Sequence, residues 1–182
     1  MTVYKPYAGI GNMKAPPEII SQCVELGQYL NEQGFTLRTG GGKTEVEEAF
    51  EGTTENKEFF LPWKKFNDIE SKITHYDESV VAITRRLQPG YESLEFWRQS
   101  FFNRTVGLML GKNGKSPVRF LVCWSQDGVE HGRDRTSKTG FIGVAISAAG
   151  LLRIPVFNLK NPDTVSRVKL YVDGMSECVG ML

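Results

Sequence analysis

Between Pro117 and Ser125 the chain reads Val-Arg-Phe-Leu-Val-Cys-Trp, a nearly continuous apolar run bounded by a proline and a polar loop. A strand with one wet face alternates polar and apolar residues. A run without alternation marks a strand buried on both faces, as in parallel sheets covered by helices on either side. This segment therefore points to an α/β protein.

Strand and helix signals do alternate. Val3 to Ile10 is aromatic and β-branched and closes on Gly9-Ile10-Gly11-Asn12, the pattern of a strand ending in a tight turn. Pro16-Pro17 opens a helix whose apolar face is Ile19, Cys23, Leu26 and Leu30, and Gly34 follows it. Phe35 to Arg38 predicts a second strand, and Thr44-x-x-Glu47 has capping-box spacing for a helix to Glu51. Glu58 to Leu61 reads as a third strand stopped by Pro62. Residues 63–92 read as an insertion or long connection, with a short strand at Val80 to Ile83. A helix is expected over Ser93 to Leu110, a mobile loop over Ser125 to Lys138 and a small-residue helix over Gly140 to Leu151. A strand at Pro155 to Leu159 and a short helix at Asp163 to Tyr171 complete the pattern. The order predicts one Rossmann-like, doubly wound α/β domain over residues 1–182, its mostly parallel sheet flanked by helices.

Composition narrows the function classes. With 22 Lys and Arg against 21 Asp and Glu the net charge is +1, which argues against a duplex-DNA binder with a broad basic face and against a polyanionic tail. Cys23, Cys123 and Cys178 are odd in number and far apart, with no Cys-x-x-Cys, and read as reduced thiols of a cytoplasmic protein. No signal peptide is expected from the opening residues, and no window is long and apolar enough for a membrane span. His75 and His131 lack partners at metal-ligand spacing, so neither a metal nor a cofactor is expected.

Three glycine-bearing turns fall where strands end or helices begin: Gly9-Ile10-Gly11, Gly40-Gly41-Gly42 and Gly140-Phe141-Ile142-Gly143. In an open α/β sheet, ligands bind beyond the carboxyl ends of the strands, where backbone N–H groups carry partial positive charge. Glycine lets an anionic group approach the main chain. Gly42-Lys43-Thr44 is not a Walker A loop, because Leu37 stands where its first glycine is required. Glu45, Glu47, Glu48 and Glu51 would also repel a triphosphate. These glutamates have two readings. They favour a helix N-terminus, or Glu45 or Glu48 faces the glycine cleft and acts on a ribose. Of the candidate phosphate clamps, Arg38 precedes the triple glycine, and Arg133, Arg135 and Lys138 lead into Gly140. Arg98 and Arg104 are further candidates, remote from any glycine turn in sequence. Trp63, after a strand end, either stacks on a base or packs beneath the long connection.

Several segments resemble small DprA/Smf-like proteins of phages and bacteria: Tyr7 to Ile20, Gly34-Phe-Thr-Leu-Arg-Thr-Gly-Gly-Gly42, Glu48-Ala-Phe-Glu51, Phe60-Leu-Pro-Trp63, Pro117 to Trp124, Thr139 to Gly143 and Ile154 to Leu159. The resemblance implies a Rossmann-like core holding nucleotides or nucleic-acid phosphates, with ligand contact at Gly9, Gly11, Gly40, Gly41, Gly42, Gly140 and Gly143. The wider superfamily includes the lonely-guy phosphoribohydrolases, whose Pro-Gly-Gly-x-Gly-Thr-x-x-Glu pattern, laid on Thr139 to Ile146, meets Phe141, Val144 and Ile146 in place of glycine, threonine and glutamate.

The expectation is a binding module rather than an enzyme. It takes a nucleotide-derived small molecule, or single-stranded nucleic acid, at Gly9, Ile10, Gly11, Asn12, Arg38, Gly40, Gly41, Gly42, Lys43, Thr44, Trp63, Arg133, Arg135, Lys138, Thr139, Gly140 and Gly143. In the phage setting that the resemblance suggests, it would sequester a nucleotide signal in the host cytoplasm. The first alternative is a nucleoside 5′-monophosphate N-glycosidase using Glu45 or Glu48. The second is a structural or homo-oligomeric protein with a vestigial cleft.

Overall fold

The computed structural model describes residues 3–179, with side chains as far as Met175; the side chain of Cys178 lies outside them. Strand β1 is Pro6–Gly11, β2 Thr36–Thr39, β3 Lys57–Phe59, β4 Leu121–Trp124 and β5 Val156–Asn158. The helices are α1 (Pro17–Glu32), α2 (Glu45–Glu51), α3 (Glu78–Leu87), α4 (Phe96–Leu110), α5 (Gly143–Leu151) and α6 (Thr164–Val179). The strands form one sheet in the order β3-β2-β1-β4-β5, and every pairing is parallel. The fold is the Rossmann-like, doubly wound α/β type.

The apolar run at 118–124 behaves as its pattern requires. Phe120, Val122 and Trp124 enter one core with Tyr7, Leu37 and the inner faces of α1, α2 and α6. Leu121 and Cys123 enter the other with Ala8, Ile10 and residues of α3, α4 and α5. Period-two alternation therefore feeds two cores, and no polar residue is needed on either face. Because the chain winds outward from β1 to β2 and β3, then returns to β4 and β5, the direction of winding reverses between β1 and β4. Ligands of open α/β sheets bind at such a reversal.

Three expectations are corrected. Val80 to Ile83 lies in helix α3, with Val80 and Thr84 fully buried; β-branching here serves helix packing. Thus 63–92 contributes to the α3–α4–α5 core. Helix α6 runs on to Val179 and is longer than the sequence suggested. Strand β1 continues through Gly9 and Gly11. A Cβ on Gly9 would meet the Phe50 ring at 2.9 Å, and one on Gly11 would meet Val46 at 2.7 Å. These glycines let α2 lie directly on β1. Among the described residues no helix is long and apolar enough to cross a membrane.

Candidate functional site

The carboxyl ends of β1 and β2 and the turn before α5 meet under helix α4. Gly11 ends β1, Gly42 and Thr44 follow β2, and Phe141 and Ile142 precede α5. All five line one cleft of about 350 Å³, roofed by Trp97, Arg98, Phe101 and Arg104. Ile10 and Leu108 close its apolar end. Segments that are well over a hundred residues apart at their extremes thus share one cleft at the lip of the sheet. A larger groove of about 860 Å³ runs along the free edge of β5, past Arg133, Arg153 and Arg167. It is more open, lies off the strand carboxyl ends and is lined by none of the glycine turns, so the smaller cleft is the better candidate.

An internal ion pair joins the floor of the cleft, at Glu47, to its roof, at Arg104. Thr44 caps α2 by accepting the Glu47 N–H at 3.2 Å. The Glu47 side chain does not complete a capping box. Instead Oε1 accepts the Gly40 N–H at 3.2 Å and Oε2 accepts the Thr44 hydroxyl at 3.2 Å. Arg104 Nη1 stands 3.9 Å from Glu47 Oε1 and donates to the Gly40 carbonyl at 2.8 Å. Its guanidinium lies 5.1 Å over the Phe101 ring. The triple glycine is what admits this pair. A Cβ on Gly40 would fall 1.7 Å from Arg104 Nη1, and one on Gly42 would fall 2.4 Å from Glu47 Oε2. The carboxylate thus occupies part of the backbone cradle expected for a phosphate. Arg104 Nε is buried without a hydrogen-bond partner, an arrangement that costs free energy unless something else satisfies it.

The second wall is built by the loop from Ser125 to Ile142, which is tied down at several points. Asp127 is its hub, accepting hydroxyl protons from Ser125, Thr136 and Thr139 at 2.6–2.7 Å. Burial would raise its pKa, but those hydrogen bonds outweigh burial and hold the carboxyl down to about 2. Asn12 Nδ2 donates to the Thr139 carbonyl at 2.9 Å, joining the end of β1 to the turn before α5. Gly140 is required there: its φ is +63°, and a Cβ would meet the Asn12 amide at 2.9 Å.

The structure distributes the expected residues unequally. Ile10, Gly11, Gly42 and Thr44 line the cleft. Asn12, Thr139 and Gly140 bind one another beside it. Gly41 has φ +61°, and its carbonyl accepts from Asn67 at 2.8 Å. Lys43 is exposed with φ +53°. Gly9 lies under Phe50, within β1. Arg38 is only 3 % exposed, with all three guanidinium nitrogens bonded among Tyr4, Glu58, Leu108 and Ser116; the fold uses it in full. Arg135 points inward, donating to the Leu87 carbonyl at the end of α3 and to Ser147, with Gly143 beneath it. Arg133 is exposed on the β5 groove and Lys138 is exposed outside the cleft. Trp63 packs edge-on against Phe66 and Phe101 in a separate depression with His75 and Asn103. Glu45 accepts the Lys14 N–H at 3.0 Å, and Glu48 is exposed; neither lines the cleft. Glu47 is the carboxylate that does.

Arg104 stood among the candidate clamps only behind those beside a glycine turn, and Trp97, Phe101 and Phe141 were not expected at the site. A signal existed, since Trp97, Phe101, Arg104 and Leu108 recur at helical spacing, but a mixed aromatic and basic stripe also suits a half-buried helix. Comparisons with protein-family models, with curated proteins and with solved structures return no match to this chain.

Proposed function

We propose that this protein binds a nucleotide-derived ligand in the cleft beneath α4. The observation that carries the reading is the convergence of Gly11, Gly42 and the Phe141-Ile142 turn on one cleft at the sheet's carboxyl lip. Its chemistry suits such a ligand: the aromatic rings of Trp97, Phe101 and Phe141, and on the same helix as the first two the Arg98 and Arg104 guanidinium groups. Arg98 at the rim makes no ion pair among the described residues and is available to an exposed phosphate. The DprA-like resemblance of the glycine segments points the same way. The cleft suits a single small ligand better than a long strand. Mass spectrometry of the protein purified under native conditions tests the reading. A co-purified nucleotide, or a melting temperature raised by one nucleotide of a panel and not raised in Arg98→Ala, is expected. Absence of both would refute it.

A second reading, an N-glycosidic hydrolase, is favoured by one observation: the buried Glu47 carboxylate, oriented by the Gly40 N–H and Thr44 hydroxyl beside Arg104, stands on the cleft floor. Such a carboxylate could stabilise a developing oxocarbenium ion or position water. Free base released from a nucleoside 5′-monophosphate, and lost in Glu47→Gln, supports this reading; binding without release leaves the protein a binder.

A further inference from the structure

Resting on the reading of the cleft as a nucleotide site, we propose that Trp97, Phe101 and Phe141 form a base-stacking wall that favours purines over pyrimidines by area of contact, not by reading the base edge. Trp97 and Phe101 stand one turn apart on α4, their rings edge-on with centroids 6.0 Å apart. Phe141 comes from the glycine turn before α5, stacked on Phe102 at 5.5 Å and tilted against Phe101 at 6.3 Å. Phe101 is the backing ring, wedged among Trp63, Phe66 and Trp97. The two outer rings are different: Trp97 is 43 % exposed and Phe141 50 % exposed although both line a cleft. Large apolar rings left wet beside a cleft gain free energy when a flat ligand covers them.

The orientation of Trp97 is fixed in advance. Its indole N–H donates to Glu95 at 2.7 Å, which leaves the ring face not covered by Arg98 as its remaining stacking surface. The Arg98 guanidinium lies 5.2 Å over that ring, within reach of a phosphate carried next to a stacked base. The cleft's volume sits near the lower bound for a small-molecule site, room for one nucleotide. Its lining has no asparagine or glutamine to read a base edge, and its threonine hydroxyls are engaged: Thr105 donates to the Phe101 carbonyl and Thr44 to Glu47. Stacking is tolerant of base identity and grows with ring area. A purine is therefore held over a pyrimidine, with adenine and guanine nearly equal.

Calorimetric titration of the full chain with adenosine, guanosine and cytidine 5′-monophosphates and with ribose 5-phosphate tests this. The two purine nucleotides should bind within about threefold of each other and roughly tenfold more tightly than the pyrimidine. Trp97→Leu and Phe141→Leu should each weaken adenosine monophosphate about tenfold or more and leave ribose 5-phosphate unchanged. Trp97→Phe, which keeps a stacking face, should restore most of the affinity, and this rescue separates lost stacking from lost folding. Equal purine and pyrimidine affinity, or variants that weaken ribose 5-phosphate as much as the nucleotide, would overturn the base wall while nucleotide binding stood. Failure of the parent protein to bind any of the four would remove the underlying reading together with the wall.

Discussion

Arg38 lies against α4 and Arg104 belongs to it, and their surroundings could hardly differ more. Arg38 is saturated: it meets Glu58 at 3.1 Å, the Ser116 carbonyl at 2.7 Å and the Tyr4 hydroxyl at 2.8 Å, and its guanidinium lies 5.0 Å over Phe60. Burial, with the hydrogen bond to Glu58, pushes the Tyr4 phenol up to about 12, so it remains a neutral hydroxyl in that network. Arg104 has one good hydrogen bond, a carboxylate at 3.9 Å and an unpartnered Nε, and its side chain lines a cleft. A buried cation with every donor satisfied holds the fold together. One whose side chain lines a cleft and keeps an unpartnered donor is not used in full by the fold. Proximity to a glycine turn in sequence ranked the two the wrong way round, because side-chain direction and not position along the chain decides what an arginine meets.

The widest separation between these two arginines should appear in stability. Arg38→Met removes three nitrogens' worth of partners and leaves carbonyls buried, and is expected to cost about 3 kcal/mol in urea unfolding. Arg104→Met is expected to cost about 1 kcal/mol yet to lower affinity for a nucleotide at least tenfold, a charge-assisted contact being lost. If Arg104→Met unfolded the protein as readily as Arg38→Met, the contrast would collapse and Arg104 would be another fold-holding residue.

A smaller effect sharpens the account of the loop that carries Phe141. The Asp127 carboxyl is held below its unfolded range, so its ionised form contributes stability that is fully present above the unfolded value of about 3.9 and is lost as pH falls through about 2. The stability gap between the parent and Asp127→Asn should be constant above roughly pH 5 and close towards pH 2. A gap independent of pH would mean that the Ser125, Thr136 and Thr139 hydroxyls do not act through the charge.

The smallest effect is expected at Phe96. It is 82 % exposed and lies outside the cleft lining, although Trp97 beside it lies within. Phe96→Ser should leave stability within about 0.5 kcal/mol and leave ligand affinity unchanged. A loss of affinity there would extend the binding surface beyond the cleft.

Local pattern made the parallel sheet and its flanking helices legible. The unbroken apolar run before Ser125 required burial on two faces, and Ile19, Cys23, Leu26 and Leu30 mark the buried side of α1 as their spacing suggested. Helix α3 was misread because Val80, Val81 and Ile83 look like a strand, whereas Val80, Ile83, Thr84 and Leu87 recur at helical spacing and Val80 and Thr84 face the core. At the site, the glycine turns were visible and their purpose was not. The fit of Gly40 to Arg104 joins residues 64 positions apart, and no local rule anticipates it. Likewise the capping-box pattern identified Glu47 as a helix-start residue, while its carboxylate turns back to the Gly40 N–H. The polar loop after β4 looked mobile because the clasp of Asp127 on Thr136 and Thr139 spans 9 and 12 residues.

The central claim is that three separate segments, the end of β1, the loop after β2 and the turn before α5, make one ligand site, and backbone amide NMR during titration with adenosine 5′-monophosphate tests it most directly. The amides of Gly11, Gly42 and Ile142 should shift together along one saturation curve, while Gly132 on the β5 groove stays still. Saturable shifts confined to one segment, or centred on the β5 groove, would contradict it.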